Sequence, residues 1–119
     1  MSKKILVIDD DPNITDYLRT LFENNGYTVC FANDVNTGYD VAKVEKPDLV
    51  TLDLEMPNEW GPRFYRKLSQ DDELKNIPVI VISALSGNQY AIQKAAATVT
   101  KPFDRNELLK IVKEVLMEQ

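Results

Sequence analysis

The sequence contains no histidine and only one cysteine, Cys30. Without histidine the chain cannot build a Ser-His-Asp or Cys-His nucleophilic site or a zinc site that requires histidine, so any phosphohistidine chemistry must take place on another protein. A single cysteine cannot form a disulfide within the chain. Since Cys30 lies in the apolar segment 27–31, we expect it to be a buried, reduced thiol.

Basic residues are in the minority, and long apolar runs are absent. The 119 residues include 14 Lys and Arg against 19 Asp and Glu, a formal net charge of -5. Because nucleic-acid binding depends on clustered Lys and Arg, we expect protein partners rather than nucleic acid. No apolar stretch approaches the roughly 18 residues of a membrane span, and no signal-like segment opens the sequence. We therefore expect a cytoplasmic protein without membrane contact.

Short apolar runs alternate regularly with helical patterns along the chain. Five such strand-helix units predict a single α/β domain over residues 1–119, with a doubly wound parallel sheet in strand order 2-1-3-4-5. Two of the helices are less regular than the others. The second contains Gly38, which is expected to weaken it, and the fourth is predicted over residues 86–96.

Polar side chains follow four of the predicted strands. Asp9 and Asp10 follow the first, and Asp53, Ser83 and Lys101 stand at the ends of three others. The carboxyl ends of parallel strands meet at one edge of a sheet, where ligands bind. Three carboxylates gathered there would repel one another, with an energy on the order of several kcal/mol for each pair. A hard divalent cation with oxygen ligands, best Mg²⁺, is therefore expected to join them.

These groups together suit the transfer of a phosphoryl group. Asp53 is the candidate nucleophile, because an aspartate that attacks phosphorus forms an acyl phosphate. Mg²⁺ and Lys101 would neutralise the phosphoryl oxygens, and the Ser83 hydroxyl would donate a hydrogen bond to one of them. Taken singly, an Asp at a strand end is more often a cap, a Lys before Pro a solvated loop residue, and a Ser a turn residue. Their joint placement at four strand ends favours the functional interpretation.

Four segments also resemble a known family. They are residues 5–12 (ILVIDDDP), 52–57 (LDLEMP), 81–84 (VISA) and 100–103 (TKPF). In this order they resemble a response-regulator receiver domain, in particular a chemotaxis-type single-domain response regulator, with a flavodoxin-like (βα)5 fold. The resemblance implies that a sensor histidine kinase or a phosphotransfer protein phosphorylates Asp53, that the change alters association with a downstream protein target, and that the domain slowly dephosphorylates itself.

The resemblance also assigns roles around Asp53. Mg²⁺ would be held by Asp53, Asp9 and Asp10, with Asp10 the more direct of the last two, and by the backbone carbonyl of Glu55. Ser83 and Lys101 would contact the phosphoryl group, and Ala84 would leave room for it. Glu55 and Leu85 stand where the family tunes the lifetime of the acyl phosphate. The Glu55 carboxylate could orient an attacking water and Leu85 could hinder it, so the two residues predict opposite effects on that lifetime.

Three features depart from the family pattern. Thr98 stands three residues before Lys101, where the family has a Tyr or Phe that reports phosphorylation; Tyr90 is a candidate substitute. The segment from Ser83 to Lys101 is about four residues short, roughly one helical turn, so a shortened fourth helix is expected. Trp60 stands where an acidic residue often precedes the glycine. It is either packed over its own loop or an exposed anchor for a partner.

Three other functions are compatible with parts of this pattern. A receiver-like binding module would signal without phosphate, as the missing aromatic suggests. A Mg²⁺-dependent phosphohydrolase with Asp53 as nucleophile would need a substrate cap, for which five strand-helix units leave no residues. A flavin-binding module is disfavoured because the acidic loop at 9–11 would repel the flavin phosphate.

Overall fold

The computed structural model describes residues 2–56, 60–83 and 95–117. Its strands are all parallel and form one five-stranded sheet in the order β2-β1-β3-β4-β5, which confirms the predicted fold. The strands are β1 (Lys4–Ile8), β2 (Thr28–Ala32), β3 (Leu49–Asp53), β4 (Val79–Ser83) and β5 (Ala97–Thr100). The helices of the described part are α1 (Pro12–Glu23), α2 (Val35–Glu45), α3 (Trp60–Ser69) and α4 (Arg105–Met117).

Side chains of each strand alternate between the two faces of the sheet, and helices cover both. One face packs against Leu18 and Phe22 of α1 and Leu108 and Val112 of α4; we call it the α1–α4 face. The other, the α2–α3 face, packs against Ala42 of α2 and against Phe64 and Leu68 of α3. All residues of β3 and β4 are buried, as expected of central parallel strands that are covered on both sides.

Aspartate side chains cap three of the described helices. The Asp11 side chain caps α1 by accepting the Asn13 N–H at 2.9 Å, with Pro12 in the first turn. Asp34 caps α2, and Asp104 caps α4 by accepting the Asn106 and Glu107 N–H groups. α1 ends at Glu23, and the chain then turns through Gly26 at φ 91.

Four expectations need correction or lie outside the described residues. Cys30 is half-buried rather than buried. Gly38 also has a role in packing. A Cβ at this position would lie 2.8 Å from Ile8 Cδ1, so the lack of a side chain lets α2 approach the sheet. Residues 86–94 of the predicted fourth helix lie outside the described residues. The last two predicted residues of that helix, 95 and 96, are not helical, because the Ala96 N–H already donates to the Val79 carbonyl at the start of β5.

The described helices include none that is both long and apolar enough to cross a bilayer.

Candidate functional site

The strand ends bring three predicted site residues together on one side of the sheet. Asp9 directly follows β1, Asp53 ends β3 and Lys101 directly follows β5. Alternation along each strand places all three on the α1–α4 face, whose core contains Val7, Leu49 and Val99. Val7 and Val99 lie two residues before Asp9 and Lys101, and Leu49 lies four residues before Asp53. The carboxyl edge of this face therefore carries two carboxylates and an ammonium group.

Asp10 adds a third carboxylate to this group. One carboxylate oxygen from each of Asp9, Asp10 and Asp53 can be chosen so that all three lie within 4.8 Å of one another. Asp9 and Asp53 are only 2% and 3% exposed, whereas Asp10 is exposed. The cluster of three carboxylates is therefore exposed to solvent at Asp10 and buried at Asp9 and Asp53.

Lys101 provides the positive charge of the cluster. Its Nζ lies 3.4 Å from Oδ1 of Asp53 and 3.7 Å from Oδ2 of Asp9. Burial lowers the pKa of Lys101, but the Asp53 and Asp9 carboxylates outweigh it and the pKa is raised above the ordinary value. The Lys101 backbone N–H donates to the Ser83 carbonyl at 2.8 Å, which fixes the start of the loop after β5 beside the end of β4.

Backbone N–H groups orient the two buried carboxylates. Asp9 Oδ1 accepts from the Asp11 N–H at 2.9 Å, and Asp53 Oδ1 accepts from the Glu55 N–H at 3.0 Å. Burial nevertheless raises the pKa of Asp9 to about 6: the Asp11 N–H lowers the pKa of Asp9, and the charge of Asp53 raises it further. The Lys101 ammonium also lowers the pKa of Asp9, but by less than burial raises it.

The start of α3 closes over Asp53 because of Gly61. A Cβ at this position would lie 2.8 Å from the Leu54 Cα and 2.9 Å from the Asp53 carbonyl oxygen. Both of these are backbone atoms and cannot easily move, so only glycine allows the start of α3 to lie this close to the end of β3. Trp60 begins α3 immediately before it; its side chain lies outside the described residues.

The remaining predicted site residues are placed less directly. Ser83 is buried at the end of β4, opposite Thr100 in the sheet register. Glu55 is half-buried, and its carbonyl role stays a prediction. Thr98 lies in β5, exposed and aligned with Val81. Ala84, Leu85 and Tyr90 lie outside the described residues.

The donor set fits a hard divalent cation. Carboxylates are the ligands that Mg²⁺ uses in proteins, usually one or two of them with several waters retained. Asp10 is exposed and could admit such an ion. A bound cation would offset the repulsion between the Asp9 and Asp53 carboxylates, which contributes to the raised pKa of Asp9.

Comparison with known proteins identifies the family. The model for the response regulator receiver domain matches residues 5–113, and the chain belongs to this family, whose members are signalling domains of two-component systems. Protein Rrf1 of Nitratidesulfovibrio vulgaris is 36% identical over 116 residues, covering 98% of this chain and 84% of Rrf1. Protein PilH of Pseudomonas aeruginosa is 34% identical over 117 residues, covering 95% of this chain and 97% of PilH.

A solved structure of low identity shows the same fold. The receiver domain of the sensor histidine kinase PA1611 from Pseudomonas aeruginosa has a TM-score of 0.89 and 22% identity, covering 98% of this chain and 99% of that chain. That structure has a magnesium ion coordinated in its active site cleft.

Proposed function

We propose that this protein is a phosphoacceptor switch of a two-component system, in which Asp53 is phosphorylated with the help of Mg²⁺. The observation that carries the proposal is the convergence of Asp9, Asp10 and Asp53 on one point, with the Lys101 ammonium 3.4 Å from Asp53. Family membership supports it, since receiver domains are signalling domains.

In the proposed reaction a carboxylate oxygen of Asp53 attacks the phosphorus of a phosphohistidine. The phosphorus–nitrogen bond breaks, the imidazole keeps its electron pair and takes up a proton, and an aspartyl phosphate forms. Because this chain has no histidine, the phosphohistidine must lie on another protein, which we propose is a sensor histidine kinase or a phosphotransfer protein. Mg²⁺, held by Asp9, Asp10, Asp53 and the Glu55 carbonyl, would supply positive charge to the phosphoryl oxygens.

Other side chains of the chain assist this transfer. The Lys101 ammonium already lies beside Asp53 and would neutralise a phosphoryl oxygen. Ser83 would donate its hydroxyl proton to another oxygen, and the small Ala84 would leave space for the group. Slow attack of water on the acyl phosphate would release inorganic phosphate and restore Asp53.

Phosphorylation would act through charge. The phosphoryl group adds about -1.5 to -2 charges to a site that is already acidic. A shift between two arrangements of the region around Ser83 would then alter association with a downstream protein. Thr98 has no aromatic ring, so another residue must report the change in this chain.

The test is labelling with acetyl phosphate and Mg²⁺, followed by intact mass. We expect one phosphate on the wild type and none on Asp53→Ala or the isosteric Asp53→Asn. Asp34→Asn is the matched control, since Asn caps a helix as well as Asp, and it should be labelled like the wild type. A phosphate adduct on either Asp53 variant would contradict the assignment.

The exposed Thr98, in place of an aromatic residue, favours one second candidate, a receiver-like module that binds its partner without phosphate. Absence of any adduct on the wild type, even with a competent kinase, would favour this module. Multiple turnovers of a small phosphate ester would instead indicate a phosphohydrolase.

A further inference from the structure

The outer edge of β2 is unpaired in the part of the chain that the structure describes. β2 lies at one end of the sheet and pairs there with β1 alone. The Thr28 N–H donates to Lys3 and the Ala32 carbonyl accepts from Asp9, so these residues face β1. Because successive residues of a strand direct their N–H and C=O groups to opposite sides, Val29 and Phe31 direct theirs outward.

The residues of β2 are not of the types that usually protect an edge strand. The strand, Thr-Val-Cys-Phe-Ala, contains neither proline nor a charged residue, although such residues are the common means of preventing edge pairing. Phe31 is 47% exposed, and Val44 of the neighbouring α2 is 79% exposed. The free backbone groups are thus bordered by exposed apolar side chains.

A cleft between β2 and α2 adjoins the edge. Its volume is about 440 Å³, and it is lined by Cys30, Phe31, Asp40, Val41, Val44 and Glu45. A strand added to β2 would direct every second side chain to this side of the sheet. An apolar side chain of the added strand could therefore enter the cleft while its backbone bonds to Val29 and Phe31.

The charges of the cleft indicate which partner fits. Glu45 is paired with the Lys4 ammonium at 2.7 Å, but the exposed Asp40 makes no ion pair within the described residues. A basic side chain on the partner would compensate Asp40. A second copy of this chain, paired through β2, would instead bring the acidic rims of two clefts together.

We propose that the β2 edge and this cleft bind an extended segment of another protein in which apolar residues alternate with Lys or Arg. The segment adds a sixth strand beside β2, with an apolar side chain in the cleft and a basic one against Asp40. This binding goes beyond the phosphoacceptor function and does not require phosphorylation of Asp53.

The probe is a synthetic peptide of alternating Lys and Val, capped at both ends, added to the unphosphorylated protein. Amide hydrogen exchange by NMR should show Val29 and Phe31 exchanging freely in the protein alone and about tenfold or more slowly with the peptide. A Glu-Val peptide should have little effect, and a Lys-Val peptide with N-methylated backbone should have none. Asp53→Ala should respond like the wild type, which separates this test from that of the phosphoacceptor site.

Charge reversal provides the sharper variant. Asp40→Lys should prefer the Glu-Val peptide over the Lys-Val peptide, whereas Asp72→Lys, at a carboxylate that is 94% exposed in the loop after α3 and does not line the cleft, should keep the wild-type preference. Unchanged exchange of Val29 and Phe31 with the Lys-Val peptide would overturn the proposal. Protection of both amides without peptide, together with a dimer in sedimentation equilibrium, would also overturn it and assign the edge to a second copy.

Discussion

The Lys101 Nζ lies 3.4 Å from Oδ1 of Asp53, and this ion pair links the end of β5 to the end of β3. Both side chains belong to the α1–α4 face, and the Asp53 carboxylate is almost fully buried. The same ammonium is 3.7 Å from Asp9. One cation thus faces two buried carboxylates, and the site is left with excess negative charge that a bound Mg²⁺ would offset.

We expect Lys101→Met to slow phosphorylation of Asp53. The substitution keeps the aliphatic length of the side chain but removes the charge that would stabilise phosphoryl oxygens in the transition state. Loss of one such group commonly costs about 10²- to 10³-fold in rate. The measurement is the initial rate of labelling by acetyl phosphate at saturating Mg²⁺. Lys3→Met, at an exposed lysine outside the site, should label at the wild-type rate, and equal rates for both variants would contradict the role of Lys101.

We expect Asp9→Asn to stabilise the protein in the absence of Mg²⁺. It removes a buried carboxylate beside Asp53, so the free energy of unfolding at pH 7 should rise by about 1–3 kcal/mol. The same variant should lose most of the stabilisation by Mg²⁺, which for the wild type is about 2.7 kcal/mol at a concentration 100 times Kd. Urea unfolding with and without Mg²⁺ measures both effects.

The matched control for Asp9→Asn is Asp11→Asn, since Asn can keep the cap of α1. This control should change neither the metal-free stability nor the response to Mg²⁺ appreciably. If the metal-free Asp9→Asn protein were less stable than the metal-free wild type, the prediction would be wrong. The Asp9 carboxylate would then make a net favourable contribution to folding.

The sheet and the convergence of the acidic residues could be predicted from the sequence because both follow from short-range patterns. Short apolar runs that end in Asp, Ser or Lys predict parallel strands and place their ends at one edge. The sequence pattern did not show which face of the sheet each side chain occupies. Asp9, Asp53 and Lys101 share the α1–α4 face, which the structure shows through the packing of their neighbours.

Features that depend on contacts between distant elements were not predicted. Gly38 was expected only to weaken α2, but the structure shows it against Ile8 and Phe64. In the loop 71–76, Leu74 is fully buried and Asp71 is bonded to α2, although most residues of this loop are polar. Local periodicity carries no information about such partners, because each lies on another element.

We expect Thr51→Val to stabilise the protein. The Thr51 hydroxyl lies in β3, 1% exposed, and its oxygen has no hydrogen-bond partner among the described residues. Valine has nearly the same shape, so the variant should gain about 1–3 kcal/mol by removing a desolvated hydroxyl.

Thr15→Val is the matched control for Thr51→Val. Thr15 is also buried, but its hydroxyl donates to the Asp11 carbonyl at 3.2 Å. Its loss should cost about 0.5–1.5 kcal/mol in the free energy of unfolding. If both variants changed stability in the same direction in urea unfolding, the two hydroxyls would not differ as the structure indicates.

We expect the contribution of Asp71 to stability to disappear in acid. The Tyr39 hydroxyl donates to its carboxylate, and together with the Glu73 N–H and Lys43 it lowers the pKa of Asp71 to about 2, although burial opposes the shift. A lowered pKa in the folded state favours folding above the unfolded pKa of about 3.9. The stabilisation is then lost as pH falls from about 4 towards 2.

The measurement for Asp71 is the difference in unfolding free energy between the wild type and Asp71→Asn as a function of pH. The variant should be less stable at pH 6, and the difference should shrink steadily on acidification below about pH 4. Asp72→Asn, at a side chain that is 94% exposed, should match the wild type throughout. A difference that does not depend on pH would contradict the assignment.

We expect Gly38→Ala to destabilise the protein, although alanine is the better helix former. In an exposed helix the change would gain about 0.5–1 kcal/mol. Here the new Cβ would lie 2.8 Å from Ile8 Cδ1 and 3.1 Å from Phe64 Cε1, two side chains that are themselves buried. Overpacking of this kind costs about 1–3 kcal/mol, so the net change should be unfavourable.

Asn36→Ala, at an exposed position of the same helix, should instead be neutral or slightly stabilising in thermal unfolding. A stabilising Gly38→Ala would mean that α2 can move away from the sheet at little cost.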